Sequence, residues 1–150
     1  MPILAASDQL VFCDAVRAAI DLSLSPDNVP DKVIELSIYQ GAGENWVLAR
    51  DPQAGGYKEG EPGADPTKYA RVRNALIYKT ASLLCPAVPA ITRDDFGDNE
   101  GYARQALDTA ARADELSDLA TAELNAYLEA QPTTASLPTF MTIAPGRRGR

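Results

Sequence analysis

Apolar residues recur at steps of three and four through most of the chain, the period of helices with one buried face. The first such segment runs from about Ser7 to Leu22, with Leu10, Cys13, Val16 or Arg17, and Ile20 on one side. Ser7 or Asp8 is placed to cap it, because a short polar side chain there accepts from free first-turn amides. Ser25, Pro26, Asp27 and Asn28 then break the pattern. A second helix is predicted from Pro30 and Asp31, with Asp31 as its cap. Ile34, Ile38, Ala42 and Trp46 form an i,i+4 row, flanked by Val33, Tyr39, Val47 and Leu48. So wide a stripe predicts a central helix or one buried on two sides. Gly41 and Gly43 interrupt it at about 1 kcal/mol each relative to Ala, a loss that close packing of a neighbouring backbone offsets.

Residues 51–66, DPQAGGYKEGEPGADP, predict an exposed loop without regular structure. It serves either as a contact or as a spacer. A third helix follows from about Thr67 to Leu84, with Tyr69, Val72, Leu76, Thr80 and Leu83 in helical register and Arg71, Arg73 and Lys79 on its surface. Pro86 stops it, since proline lacks a donor and restricts the residue before it. Residues 87–101 predict a turn-rich link with at most a short strand or hairpin at 90–96. The longest helix is expected from about Tyr102 to Leu128. Tyr102, Ala106, Ala110, Ala113, Leu116, Ala120 and Leu124 line one face, and Asp108, Arg112, Asp114, Glu115 and Asp118 the solvated one. Small residues on the inner face let another helix approach closely.

From Gln131 the helical period disappears. Pro132 and Pro138 oppose helix, while Phe140, Met141, Thr142 and Ile143 favour an extended segment. The chain therefore divides into a helical body, 1–130, and an extended C-terminal arm, 131–150. The expected fold is all-α, a bundle of about four helices with a short extended link or hairpin near 90–98. There is no internal repeat.

Composition narrows the class. A chain of 150 residues with 45% apolar content suits one domain with its own core. Cys13 and Cys85 lie in apolar surroundings and read as buried free thiols rather than a disulfide. The first residues lack the basic start of a signal peptide, and Asp8 and Asp14 interrupt the apolar stretch. No run has the length of a membrane span. A reducing cytoplasm is the expected site of synthesis.

Net charge is −7, but three of the 14 basic residues, Arg147, Arg148 and Arg150, crowd the C-terminus; the remaining 11 face 21 acidic residues, or −10. A body this acidic will not hold DNA by neutralising phosphates. It can border a passage through which DNA slides, or simply remain soluble.

Signatures of catalysis are missing. The chain has no histidine, which removes the commonest general base and zinc ligand. It has no phosphate-binding Gly-rich loop and no nucleophile elbow. The acidic cluster Asp94, Asp95, Asp98 and Glu100 lacks calcium-loop spacing and reads as a solvated loop capping the last helix. No enzymatic activity, cofactor or metal is expected. Trp46 and Tyr39 read as core. The terminal arginines can meet an acidic protein, nucleic acid or solvent, with the acidic protein favoured. The segment from Leu137 to Ile143 has the alternation needed to add as a strand to another protein's sheet edge; the plain alternative is an unstructured terminus.

Three stretches together resemble the head–tail connector (adaptor) proteins of tailed bacteriophages. They are PDKVIELSIYQGAGENWVLAR, YARVRNALIYKTASLLCPAVP and ITRDDFGDNEGYARQALDTAARADELSDLATAEL, covering about residues 30–124, followed by the basic LPTFMTIAPGRRGR terminus. The loop at 51–66 is longer than this resemblance implies. The resemblance implies a structural virion protein that forms a ring, usually of twelve copies, in the neck between head and tail, after synthesis in the host cytoplasm. Its partners would be the portal protein and the stopper or tail proteins, with DNA passing through the channel without specific binding and no membrane involved. The arm would insert into the portal, with Leu137, Phe140, Met141, Thr142 and Ile143 as strand and Arg147, Arg148 and Arg150 as ionic contacts. The rival readings are a stopper or tail-completion protein, a small helical regulator binding a host protein or nucleic acid, and a metal enzyme built on the 94–100 carboxylates.

Overall fold

The computed structural model describes residues 2–92 and 99–129, with only the backbone described for 99–107. Every regular element among these residues is helical, so the expected all-α bundle is observed. Helix α1 spans Gln9–Ile20, α2 Asp31–Ile34, α3 Ala42–Arg50, α4 Pro66–Leu84, α5 Val88–Ile91 and α6 Asn99–Leu128. Single turns precede or join them at Ala6–Asp8, Ser37–Gly41, Ala54–Gly56 and Cys85–Ala87.

The two longest helices, α4 and α6, pack against one another. Their cross-links pair rising positions on α4 with falling positions on α6, so the two run antiparallel. Arg71 meets Glu123 at 3.0 Å, Ser82 Oγ donates to the Ala113 carbonyl at 2.9 Å, and the Cys85 thiol donates to the Thr109 carbonyl at 3.2 Å. Ala75, Ala113 and Ala120 are buried, and their small volume permits this close approach. Asp65 starts α4 by accepting from the amides of Thr67 and Lys68, both at 3.1 Å, and Pro66 occupies the first turn, where no amide partner is needed.

Helix α1 covers α4 with Phe12, Cys13, Val16 and Ile20. Leu10, expected on this face, is 65% exposed. Gln9 takes the inward place at that end and donates to Gln40 at 2.8 Å. Neither Ser7 nor Asp8 caps α1 through its side chain. Asp8 instead accepts from the Tyr69 hydroxyl at 2.6 Å.

The second predicted helix is three pieces. Asp31 is not its cap: Pro30 holds that position. Leu36 is extended, with φ −58° and ψ 144°, and the chain restarts as a π-helical turn at Ser37–Gly41 before α3. The break moves the apolar row out of phase. Ile34 and Val47 are buried, whereas Ile38 is 62% exposed and Trp46 is half-buried. The close packing expected at the glycines is found at Gly43. A Cβ there would lie 2.7 Å from Thr80 Oγ1 and 3.1 Å from Leu76 Cδ1.

Two further expectations change. Pro86 does not end the helical path: it sits in the first turn of Cys85–Ala87, which runs directly into α5. Proline is tolerated there because that turn has free amides anyway. Ala90 and Ile91 are therefore helical, which removes the first arm of a hairpin at 90–96; residues 93–98 lie outside the described residues. Ala110 of α6 faces solvent, and Thr109 beside it is buried.

Arg17 is only 2% exposed. It ties α1 to the connection before α2: its Nε donates to the Val29 carbonyl at 2.7 Å, Nη1 to Asp14 at 2.8 Å, and Nη2 to Asp31. A buried guanidinium is tolerated because its planar fork is satisfied in several directions. Arg17→Met keeps the aliphatic volume but removes the donor to Val29 and Asp31. We expect a loss of about 2–3 kcal/mol, measured as a lower urea midpoint at unchanged slope. A native midpoint would refute the role of Arg17 as a pin.

Gly43 supplies a second test. Thr80 Oγ1 is buried and has no partner among the described residues, and it stands where the new methyl would go. Gly43→Ala should destabilise by about 1–2 kcal/mol through overpacking, although helix propensity alone favours Ala by about 1 kcal/mol. Thr80→Ala in the same chain should recover part of that loss; simple additivity in the double-mutant cycle would count against direct crowding.

Candidate interaction surfaces

The residues predicted to bind a partner, Leu137, Phe140, Met141, Thr142, Ile143, Arg147, Arg148 and Arg150, all lie outside the described residues. So do Asp94, Asp95 and Asp98 of the acidic cluster, while Glu100 falls within the first turn of α6. The structure does describe the end of α6, which precedes them in the chain. Tyr127, one residue before the end of α6, is buried, and its hydroxyl donates to Asp51 Oδ2 at 2.7 Å. Tyr57 donates to the same oxygen at 2.8 Å, and the two rings meet edge-on with centroids 6.3 Å apart. The Gln53 amide donates to Asp51 Oδ1 at 3.1 Å.

This clasp corrects the reading of 51–66 as an exposed loop without regular structure. Asp51, Ala54, Gly55 and Tyr57 are buried, Ala54–Gly56 forms a helical turn, and the Asp65 amide returns to the Tyr57 carbonyl at 3.0 Å. The glycines and prolines shape the chain around Tyr57 instead of freeing it. Gly60 alone adopts a positive φ, 91°, among the described residues, a conformation that suits glycine.

Burial, and then the bond to Asp51 and its negative charge, push the Tyr127 hydroxyl far above its ordinary value. Burial also raises Tyr69, and raises the thiols of Cys85 and of Cys13, the latter to about 11. Both cysteines are buried and free, as expected. A raised thiol holds little thiolate at neutral pH and is a poor nucleophile.

The described surface offers two kinds of contact. One is apolar: Leu10, Val11, Leu22, Leu36, Ile38 and Leu119 are exposed. They are spread over α1, the turn after it, the break after α2, and α6. The other is cationic and aromatic. The Arg50 guanidinium lies 4.0 Å from the centroid of Trp46, and the Lys79 ammonium lies 5.1 Å from the same ring. Trp46, expected in the core, is half-buried, with both cations over its ring. Burial, and then repulsion from Arg50, lower the affinity of Lys79 for its proton. The i,i+4 spacing of Trp46 and Arg50 was visible in the sequence; the arrival of Lys79 from α4 was not.

Among the described residues no helix is long and apolar enough to cross a membrane, and no group of three or more acidic or sulfur side chains is arranged to hold a metal ion. No protein-family model, curated protein or solved structure matches the chain.

The four raised groups predict an alkaline limb in stability. For each of these four groups the folded state keeps its proton above the pH at which the unfolded chain loses it. Their stabilisation is therefore complete below the ordinary thiol and tyrosine range and is lost as pH rises through it, from about 8.5 to above 10. Tyr127→Phe should cost about 1–2 kcal/mol at neutral pH and flatten the part of the limb above the ordinary tyrosine value. Urea midpoints measured from pH 7 to 11 decide it; an unchanged alkaline slope would refute the assignment.

Proposed function

We propose that this chain is a structural head–tail connector of a tailed bacteriophage, with no catalytic activity and no cofactor. It forms a ring, of twelve copies by resemblance, beneath the portal protein, and joins the DNA-filled head to the stopper or tail proteins. Its place is the neck of the virion, after assembly in the host cytoplasm. The observation that carries the reading is the resemblance of three ordered segments. They cover α2 to α3, most of α4 and the start of α5, and the last residue of α5 together with most of α6. Ring closure requires two different faces on each subunit, and the scatter of exposed apolar side chains over separate elements suits that requirement.

The arm docks through Leu137, Phe140, Met141, Thr142 and Ile143 as an added strand, with Arg147, Arg148 and Arg150 meeting acidic groups on the portal. Strand addition draws affinity from backbone bonds and specificity from alternate side chains. DNA passes the acidic body without specific binding. Rooting the arm beside the Asp51 clasp would carry load from the portal into the core of the bundle rather than into a loose helix end.

Deletion of 131–150 leaves Tyr127 and its clasp in place. The truncated chain should keep its helical circular dichroism and bind purified portal rings at least about tenfold more weakly, a loss of roughly 1.4 kcal/mol. Undiminished binding would sink the arm's role.

A further inference from the structure

Arg50 and Lys79 converge on one indole in a protein of net charge −7. Neither has a carboxylate within ion-pair distance among the described residues. Arg50 donates to the Trp46 carbonyl at 3.3 Å, and Lys79 reaches Ser117 on α6 at 3.4 Å. Those contacts orient the two cations without neutralising them. The result is a half-buried indole with two positive charges over its ring, where α3, α4 and α6 meet.

The same chain carries the complement. On α6, Glu115 and Asp118 are exposed beside Leu119, which is 42% exposed. Among the described residues Glu115 meets only Arg112, in an exposed pair at 2.9 Å, and such a pair holds its carboxylate weakly. Ser117, which Lys79 touches, and Leu119 are two positions apart, about 200° around a helix. The apolar and acidic face therefore lies on the far side of α6 from the cationic indole.

We infer that Trp46 with Arg50 and Lys79 is one half of a contact between copies of this chain, the other half being Leu119 with Glu115 and Asp118 of a second copy. Leu119 packs on the indole while the two carboxylates meet the two cations. The faces differ, so the contact is heterologous and repeats from subunit to subunit. The inference rests on the ring-forming reading above and specifies its two surfaces. A nucleic-acid strand is the competing occupant of the indole, through stacking and phosphate contact; two cations on so acidic a body disfavour it.

A charge exchange tests the contact. One full-length chain carries Arg50→Glu and Lys79→Glu, another Glu115→Lys and Asp118→Lys, and Arg50→Glu alone serves as a mild variant because Arg50 is exposed. Circular dichroism checks that each is folded. In sedimentation the native chain should associate with rising concentration and dissociate with rising salt. Each exchanged chain alone should associate at least about tenfold more weakly. Mixing the two should restore association, because every face then meets one of opposite sign. Trp46 is the sole tryptophan, so its emission should shift with association in the native chain and in the mixture.

A native chain that stays monomeric at the highest attainable concentration overturns the contact. So does an Arg50→Glu chain that associates normally, or a folded pair of exchanged chains that stays apart when mixed. A salt-sensitive shift of Trp46 emission with an oligonucleotide, without self-association, assigns the indole to nucleic acid and also overturns it. Portal binding through the arm is measured separately, so failure of this contact and failure of the arm's portal contact are distinguishable.

Discussion

Close approach of α4 and α6 is the constraint on which the other contacts depend. Alanine at positions 75, 113 and 120 removes side-chain bulk from their seam, and the helices are then near enough for Ser82 and Cys85 to donate into carbonyls of α6. Those carbonyls already accept within the helix, and each has a second lone pair to offer. Larger residues in the seam would separate the helices and strand these donors. With the seam fixed, α1 lies against α4, and α3 presses Gly43 against Thr80. Each of these helices needs α4 to be where α6 holds it.

Two buried polar groups then attach the irregular segments to this frame. Arg17 holds the connection between α1 and α2, because its guanidinium reaches a backbone carbonyl and two carboxylates at once. Asp51 holds the end of α3, the turn at 54–56 and the end of α6 through two tyrosine hydroxyls and an amide. Both groups would be costly if left unpaired. Each therefore makes its segments interdependent, and loss of one partner is felt by the others. The glycine-rich stretch after Asp51 belongs to the body for this reason.

These attachments bear on how the chain would work in an assembly. A ring subunit needs rigid faces whose orientation persists from copy to copy, and rigidity comes from cross-links between elements that are distant in sequence. The Trp46 side, at the seam of three helices, and the outer side of α6 are both set by the α4–α6 pairing. The proposed arm begins in sequence at Gln131, four positions after Tyr127 of the clasp. Bundle and arm thus divide the work in this reading, with self-contact on the helices and portal contact on the tail.

Much of the fold was legible because helical burial is periodic. The extents of α4 and α6, the inward positions Val72, Leu76, Leu116 and Leu124, and the two buried thiols followed from spacing and residue type alone. The candidate portal-binding residues 137–143 and 147–150 came from pattern and resemblance, and they stand as sequence inferences. What spacing could not supply was the phase change after Ile34. An extended Leu36 and a π-helical turn rotate the row that Ile34, Ile38 and Trp46 would share, and neither leaves a mark in a 3.6-residue period. Nor could it place Asp51 in the core, since its two tyrosine partners stand 6 and 76 positions away. The sequence by itself determined that the chain is helical, where α1, α4 and α6 run and most of their inward positions, because those depend on neighbours a few residues apart. Only the tertiary structure decided which polar residues are buried and which cations share the indole, because these depend on charges and hydrogen bonds that meet across the chain.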